Sequence, residues 1–174
     1  QGWRISGTHR GKDGSDQSTK DGFKLYPFDR ATPLIESQVL EDVTHLLVSV
    51  PPDGEGCPVA DNLAAEIAQL PNLTWLGYLS TTGVYGDTGG ERVDEDAPLN
   101  PSSDRSRNRV NAEESWLNLW RDNDVPVHIF RLAGIYGPGR SPLDRVRAGS
   151  AARTNKPGQL FSRIHVDDIA TVLR

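Results

Sequence analysis

Short apolar runs, each closed by an abrupt stop and separated from the next by a helical pattern, constrain this chain more than any other feature. His45-Leu46-Leu47-Val48-Ser49-Val50 ends at Pro51-Pro52, and Thr74-Trp75-Leu76-Gly77-Tyr78-Leu79 runs into Ser80-Thr81-Thr82-Gly83. Val127-His128-Ile129-Phe130-Arg131 is followed by Leu132-Ala133-Gly134. Runs of this kind, without polar alternation, are strands buried on both faces, as in parallel sheets. Between them Leu63, Ile67 and Leu70 repeat at helical spacing. Ala112, Trp116, Leu119 and Trp120 fall at i, i+4, i+7 and i+8 of a helix predicted from about residue 105 to 121. Two weaker strands are expected at residues 3–7 and 23–26, a polar loop or poorly formed helix over 11–21, and a short Pro-initiated helix over 33–40. Strands alternating with helices predict an α/β fold, a doubly wound parallel sheet with helices on both faces.

Bulk composition narrows the function. The 174 residues make one domain large enough for a real core. No apolar run approaches the roughly 20 residues of a membrane helix. The net charge is -5 and basic residues are scattered, so no membrane or nucleic-acid partner is expected. Cys57 is the single cysteine, which excludes an internal disulfide and a Cys-rich metal site and fits a reducing, cytoplasmic location. The chain begins Gln1-Gly2-Trp3, contains no Met, lacks an apolar signal segment, and closes on what reads as the start of a helix at 167–174. The expectation is therefore an internal segment of a longer protein.

Ligands of open parallel sheets gather beyond the carboxyl ends of the strands. Those positions hold Thr8-His9-Arg10, Ser49-Val50-Pro51, Ser80-Thr81-Thr82 and Leu132-Ala133-Gly134. Singly each suits an ordinary turn; together their small and hydroxyl residues favour a nucleotide lying close to the backbone. A carboxylate at the end of the second strand of such a domain holds the ribose 2′-OH of NAD, whereas an Arg accommodates the 2′-phosphate of NADP. Gly7-Thr8-His9-Arg10 carries an Arg and no acid, which leans to NADP unless Arg10 is only a solvated charge.

Tyr78-Leu79-Ser80-Thr81-Thr82-Gly83-Val84-Tyr85-Gly86, Phe130-Arg131-Leu132-Ala133-Gly134-Ile135-Tyr136-Gly137-Pro138-Gly139 and Arg163-Ile164-His165-Val166-Asp167-Asp168-Ile169-Ala170 occur in this order along the chain. In order and spacing they resemble the NAD-dependent epimerase/dehydratase family, the extended short-chain dehydrogenase/reductases. The resemblance implies that residues 1–174 are a partial NAD(P)-binding Rossmann-like domain, with the N-terminal strand, its Gly-rich loop and the C-terminal substrate region missing. It implies an NAD(P)-dependent oxidoreductase acting on a small polar, nucleotide-sugar-like substrate, with NADP or NAD as cofactor. Thr81 falls at the family's catalytic Ser or Thr. The family's Tyr-x-x-x-Lys falls on Arg105 and Arg109. Arg109 can still hold ribose hydroxyls, but a guanidinium stays protonated at neutral pH and cannot replace the tyrosine as acid or base. Proton transfer then passes to Tyr85 or Tyr136, or to a group outside these residues, or the chain binds NAD(P) without chemistry. The expected catalytic residues are Thr81, Tyr85 and Arg109; the expected cofactor contacts are Thr8, Arg10, Ser49, Val50, Pro51, Leu79, Ala133 and Gly134. The expected partners are a small-molecule substrate and a second copy of the chain in a homodimer.

No metal site is expected. His165, Asp167 and Asp168 read as a helix start, with the aspartates as cap and dipole partners. His45 and His128 sit inside strands, and Glu91, Asp94, Glu95 and Asp96 lack the alternation of a calcium loop. Gly137-Pro138-Gly139-Arg140 suits an anion and a simple turn equally.

Overall fold

A computed structural model describes residues 2–10, 22–32, 34, 39–152, 155, 158 and 160–174. The loop expected over 11–21 and most of the helix expected over 33–40 lie outside the described residues. The chain is α/β with every strand pairing parallel, as expected, but the sheet comes in pieces. β1 (Ser6–His9) pairs with β2 (Lys24–Pro27). β3 (His45–Val48), β4 (Trp75–Thr81) and β5 (Val127–Leu132) form a three-stranded sheet in that order. β6 (Gly134–Tyr136) and β7 (Arg163–His165) form a third, small sheet that the sequence reading missed.

The strand expected at 3–7 starts later. The register pairs Ser6 with Lys24 and His9 with Pro27, so Thr8 and His9 belong to the strand and only Arg10 follows it. Trp3 and Ile5 remain 63% and 58% exposed. Trp3 instead packs edge-on against His45, with ring centroids 4.6 Å apart.

α1 (Pro58–Ile67) has Pro in its first turn, where the absent N–H costs nothing, and buries Val59, Leu63 and Ile67, one stripe at four-residue spacing. Its N-cap is the buried Cys57, whose thiol burial pushes up in pKa. α2 (Asp104–Asn123) begins with a reciprocal capping box between Ser103 and Ser106 and stops at Asp124 in the left-handed region, φ 57°. It buries Ala112, Trp116 and Leu119; Trp120, expected on the same face, lies at its rim and stays half exposed. These helix faces join Val48, Leu76 and Tyr78 from the sheet, and Phe28 and Leu40 from beside β2, in one core. Two short helices complete the chain: α3 (Pro142–Arg147), which the sequence reading also missed, and α4 (Val166–Val172). Among the described residues no helix is long and apolar enough to cross a membrane.

A cavity of about 1030 Å³ separates β1 from β3, lined by Ser6, Gly7 and Thr8 on one side and by His45 to Val48 on the other. Contacts at both ends of this slot fix its geometry. At the amino ends Arg4 pairs with Asp42 at 2.8 Å and Trp3 meets His45. At the carboxyl ends Arg30, just after β2, grips Asp53, just after β3, through Nε and Nη2 at 2.8 Å each, and reaches Asp61 of α1 at 2.8 Å. All five strands therefore run the same way, and chain order turns back at the slot: β1 leads to β2 on one side, β3 to β4 and β5 on the other. Ligands of open α/β sheets bind beyond the carboxyl ends of the strands at such a reversal, not in the space between the strands.

Candidate functional site

Thr81 is the last residue of β4 and caps the 3-10 turn Thr82–Tyr85. Its Oγ1 accepts the Gly83 amide at 3.2 Å, which fixes the hydroxyl and leaves its hydrogen to donate elsewhere. Gly86 ends the turn at φ 73°, and a Cβ there would stand 2.0 Å from the Asn100 carbonyl oxygen, so the acidic loop 87–104 lies directly on the turn. The Asn100 amide donates to Val84 O at 3.0 Å and pins the loop from its other end.

One step along the strand, Ser80 points the opposite way and donates to the carboxylate of Glu113 on α2. Glu113 is 2% exposed. Its charge is met by Arg131 of β5, whose Nη2 lies 2.9 Å and Nε 3.1 Å from Oε2. The remaining nitrogen, Nη1, donates to the Tyr85 hydroxyl at 2.8 Å and to the Glu95 carbonyl at 3.1 Å. A single guanidinium thus ties β4, the turn, the acidic loop and α2 to β5. Sequence reading missed this network. Its signal was available: Arg131 ends an apolar strand and Glu113 borders the buried face of an amphipathic helix, positions where an isolated charge is too costly to stand alone.

Arg109 lies on α2 near the carboxyl end of β4, as the helical register requires. Its Nη1 donates to Leu79 O at 2.6 Å and to the Tyr78 hydroxyl at 3.2 Å, leaving Nε and Nη2 to serve a ligand. Burial pushes Tyr78 up to about 12, so this phenol stays neutral and structural. Arg105, in the first turn of α2, is exposed.

The expected site residues separate into groups. Thr81 ends β4, and Arg109 reaches the same strand at Leu79 O and the Tyr78 hydroxyl. Tyr85 is buried with its hydroxyl held by Arg131, whereas Tyr136 is 39% exposed, with its ring edge-on to His165 at 5.0 Å. Thr8, Arg10, Ser49 and Pro51 are exposed, Thr8 and Ser49 lining the slot, and Val50 lines it too while packing partly into the core. The Leu79 carbonyl is used by Arg109. Gly134 begins β6 under the Arg163 side chain, where an added Cβ would meet Nη1 at 2.4 Å, and Ala133 is half-buried beside it. His165 is itself the N-cap of α4, its Nδ1 accepting the Asp167 amide at 3.3 Å, so the aspartates fill the first turn and not the cap. Among the described residues no cluster of three or more His, Cys, Asp or Glu could hold a metal ion.

At the carboxyl ends of β2 and β3, Arg30 is shared by Asp53, Glu55 and Asp61. The carboxylates nearest the slot's carboxyl end already have partners. Asp53 is gripped by Arg30, which holds its carboxyl down at about 2, and Asp29 accepts the Ala31 and Thr32 amides at 2.9 and 2.8 Å.

Comparison with known proteins agrees with this architecture. The model of the NAD-dependent epimerase/dehydratase family matches residues 59–173. Protein YeeZ of Escherichia coli is 29% identical over 179 residues, covering 97% of this chain and 62% of that protein. A conserved protein of unknown function from Silicibacter pomeroyi is 47% identical, with a TM-score of 0.84 over 99% of this chain and 58% of its own. UDP-glucuronic acid 4-epimerase from Bacillus cereus, solved with UDP-glucuronic acid and NAD, shares the fold at a TM-score of 0.68 and 19% identity, over 86% of this chain and 55% of that one. The chain thus spans about three-fifths of the length of YeeZ and of the Silicibacter pomeroyi protein.

Proposed function

This chain belongs to the NAD-dependent epimerase/dehydratase family, and from that premise we propose that it is the cofactor-binding part of an NAD(P)-dependent oxidoreductase acting on a small polar, nucleotide-sugar-like substrate. The observation that carries the reading is what β4 presents near its carboxyl end: the Thr81 hydroxyl, which accepts the Gly83 amide and keeps its hydrogen to donate, and the Arg109 guanidinium anchored to Leu79 O. Bound there, a nicotinamide would accept the hydride of a carbinol carbon, the hydroxyl proton leaving to Tyr85, Tyr136 or a group outside these residues. Thr81 donates to the reacting substrate oxygen and stabilises the charge that develops on it. Arg109 holds ribose hydroxyls in the place of a lysine. Tyr85, its oxygen fixed by Arg131, orders the turn that carries Thr81. Thr8, Ser49, Val50 and Pro51 border the dinucleotide, and Ala133 and Gly134 lie where the sheet opens towards the substrate.

The test is calorimetric titration of NADP and NAD into the full-length gene product, followed by turnover with nucleotide-sugar substrates. Binding of either dinucleotide, and turnover that falls by about 100-fold in Thr81→Ala, as loss of one such donor does elsewhere, is the expected result. Absence of binding refutes the reading.

A second reading, a catalytically silent NAD(P)-binding protein, is favoured by one observation. Arg105 occupies the family's tyrosine position, exposed and unable to exchange a proton. Binding without turnover on any such substrate would select it.

A further inference from the structure

We infer that the Glu113–Arg131 ion pair is the positioning device of Thr81, and that Arg131 governs the rate of the chemical step without touching substrate or cofactor. The inference rests on the reading of Thr81 above as the donor to the reacting oxygen. Its ground is where the two halves of the pair direct their hydrogen bonds. Glu113 receives the Ser80 hydroxyl, one residue before Thr81. Arg131 gives Nη1 to the Tyr85 hydroxyl at 2.8 Å, at the far end of the turn that Thr81 caps, and its guanidinium carbon lies 5.0 Å from the centre of the Tyr85 ring. Nη2 and Nε close the frame on Oε2 of Glu113 at 2.9 and 3.1 Å. Thr81 is thus bracketed in sequence by two residues that hang on the two halves of one ion pair, and its Oγ1, held by the Gly83 amide at 3.2 Å, sits inside that frame.

Stability alone does not call for this arrangement. Two nitrogens of Arg131 and the Ser80 hydroxyl already answer the Glu113 carboxylate. The third nitrogen also reaches the Glu95 carbonyl at 3.1 Å, on an exposed residue whose carbonyl water would serve nearly as well. What the contact adds is geometry. The loop 87–104 leaves the turn at Gly86 and runs into the Ser103 cap of α2, the helix that carries Arg109. The Asn100 amide fastens the loop to Val84 O at 3.0 Å, and Arg131 fastens it at Glu95. One guanidinium therefore sets both the turn behind Thr81 and the loop that follows it against β5. A lysine at 131 keeps a charge opposite Glu113 but loses the planar fork that holds carboxylate, phenol and carbonyl in fixed directions.

A set of variants in the full-length gene product tests this: Arg131→Lys, Tyr85→Phe, Thr81→Ala, and Arg131→Lys combined with Thr81→Ala. Each is measured for dinucleotide binding, for kcat and KM, and, with no ligand present, for hydrogen exchange at the Gly83 and Asn100 amides. Arg131→Lys should lower kcat by roughly 10- to 100-fold, the scale of a displacement of about 1 Å, while KM and the dinucleotide Kd stay within about threefold of wild type. Both amides should exchange faster in that variant. Tyr85→Phe keeps the ring and drops only the bond to the hydroxyl; it should lower kcat less, in the same pattern, and it decides by the same criteria if the lysine variant does not fold. In the Thr81→Ala background Arg131→Lys should lower kcat little further, because its effect passes through the hydroxyl.

Wild-type kcat in Arg131→Lys, unchanged exchange at both amides, or a loss of kcat as large in the Thr81→Ala background as in wild type overturns the inference and leaves the reading of Thr81 standing. A wild-type protein without turnover, or a Thr81→Ala variant as fast as wild type, overturns that reading and the inference with it.

Discussion

Replacing Arg131 by Leu should be among the most damaging single changes in this molecule. The substitution keeps an apolar body in β5 but strips Glu113 of its counter-charge, leaving a 2% exposed carboxylate with only the Ser80 hydroxyl as donor. Breaking a buried pair from one side costs about 3–5 kcal/mol, against less than about 1 kcal/mol for a solvent-exposed pair. The Tyr85 hydroxyl and the Glu95 carbonyl lose their donor at the same time, so the upper half of that range applies. For a domain of this size each kcal/mol moves the thermal midpoint by about 2–4 °C, which gives a fall of roughly 8–20 °C. Removing both charges, Glu113→Leu with Arg131→Leu, should recover much of the loss, because a well-packed apolar pair escapes the desolvation penalty. Recovery stays incomplete, since Ser80 then keeps a buried hydroxyl without its acceptor. Chemical unfolding of wild type, both single variants and the double variant closes the thermodynamic cycle. An Arg131→Leu loss under about 1 kcal/mol, or a double variant as unstable as the sum of the singles, would refute the claim that this pair is a buried, coupled unit.

Other perturbations follow the same physics. Asp53 titrates at about 2 in the fold because Arg30 binds its charged form, against an ordinary value of 3.8. Its contribution is therefore complete above about pH 4 and lost as pH falls towards 2; the thermal midpoint should drop across that window in wild type and drop less in Asp53→Asn. Gly86→Ala should destabilise by about 3 kcal/mol or more, because φ of 73° and a 2.0 Å approach to the Asn100 carbonyl leave no room for a Cβ on either count. An unfolding midpoint within error of wild type would show that the acidic loop can lift off the turn freely.

Much of the architecture is legible in the residues, for reasons that differ by element. β4 reads through because burial on both faces leaves an uninterrupted apolar run at Leu76 to Tyr78; β3 carries a similar run but is not buried on both faces, Leu47 being 46% exposed. α2 reads through because twenty residues give its apolar stripe several turns to repeat. β6, β7 and α3 do not, since three- and six-residue elements are too short for a period to show. β1 was displaced towards Trp3 because alternation there imitates a strand, while the actual ladder is set by its partner at Lys24–Pro27. Thr81 and Arg109 could be placed at one strand end from order and helical register; that Tyr85 turns inward to Arg131 could not.

The sequence by itself determined which segments become strands and helices and which chemistry they carry, because burial periodicity, proline stops and side-chain type are local properties of the chain. It also determined that a hydroxyl at 81 and guanidinium groups at 10 and 109, with no acid among residues 6–10, would be available to a ligand. Only the tertiary structure decided how charges are spent. Glu113 meets Arg131 from 18 residues away, and Asp53 meets Arg30 from 23. The first pair is buried and the second partly exposed, but both form where packing brings distant segments together, and no local pattern encodes that meeting.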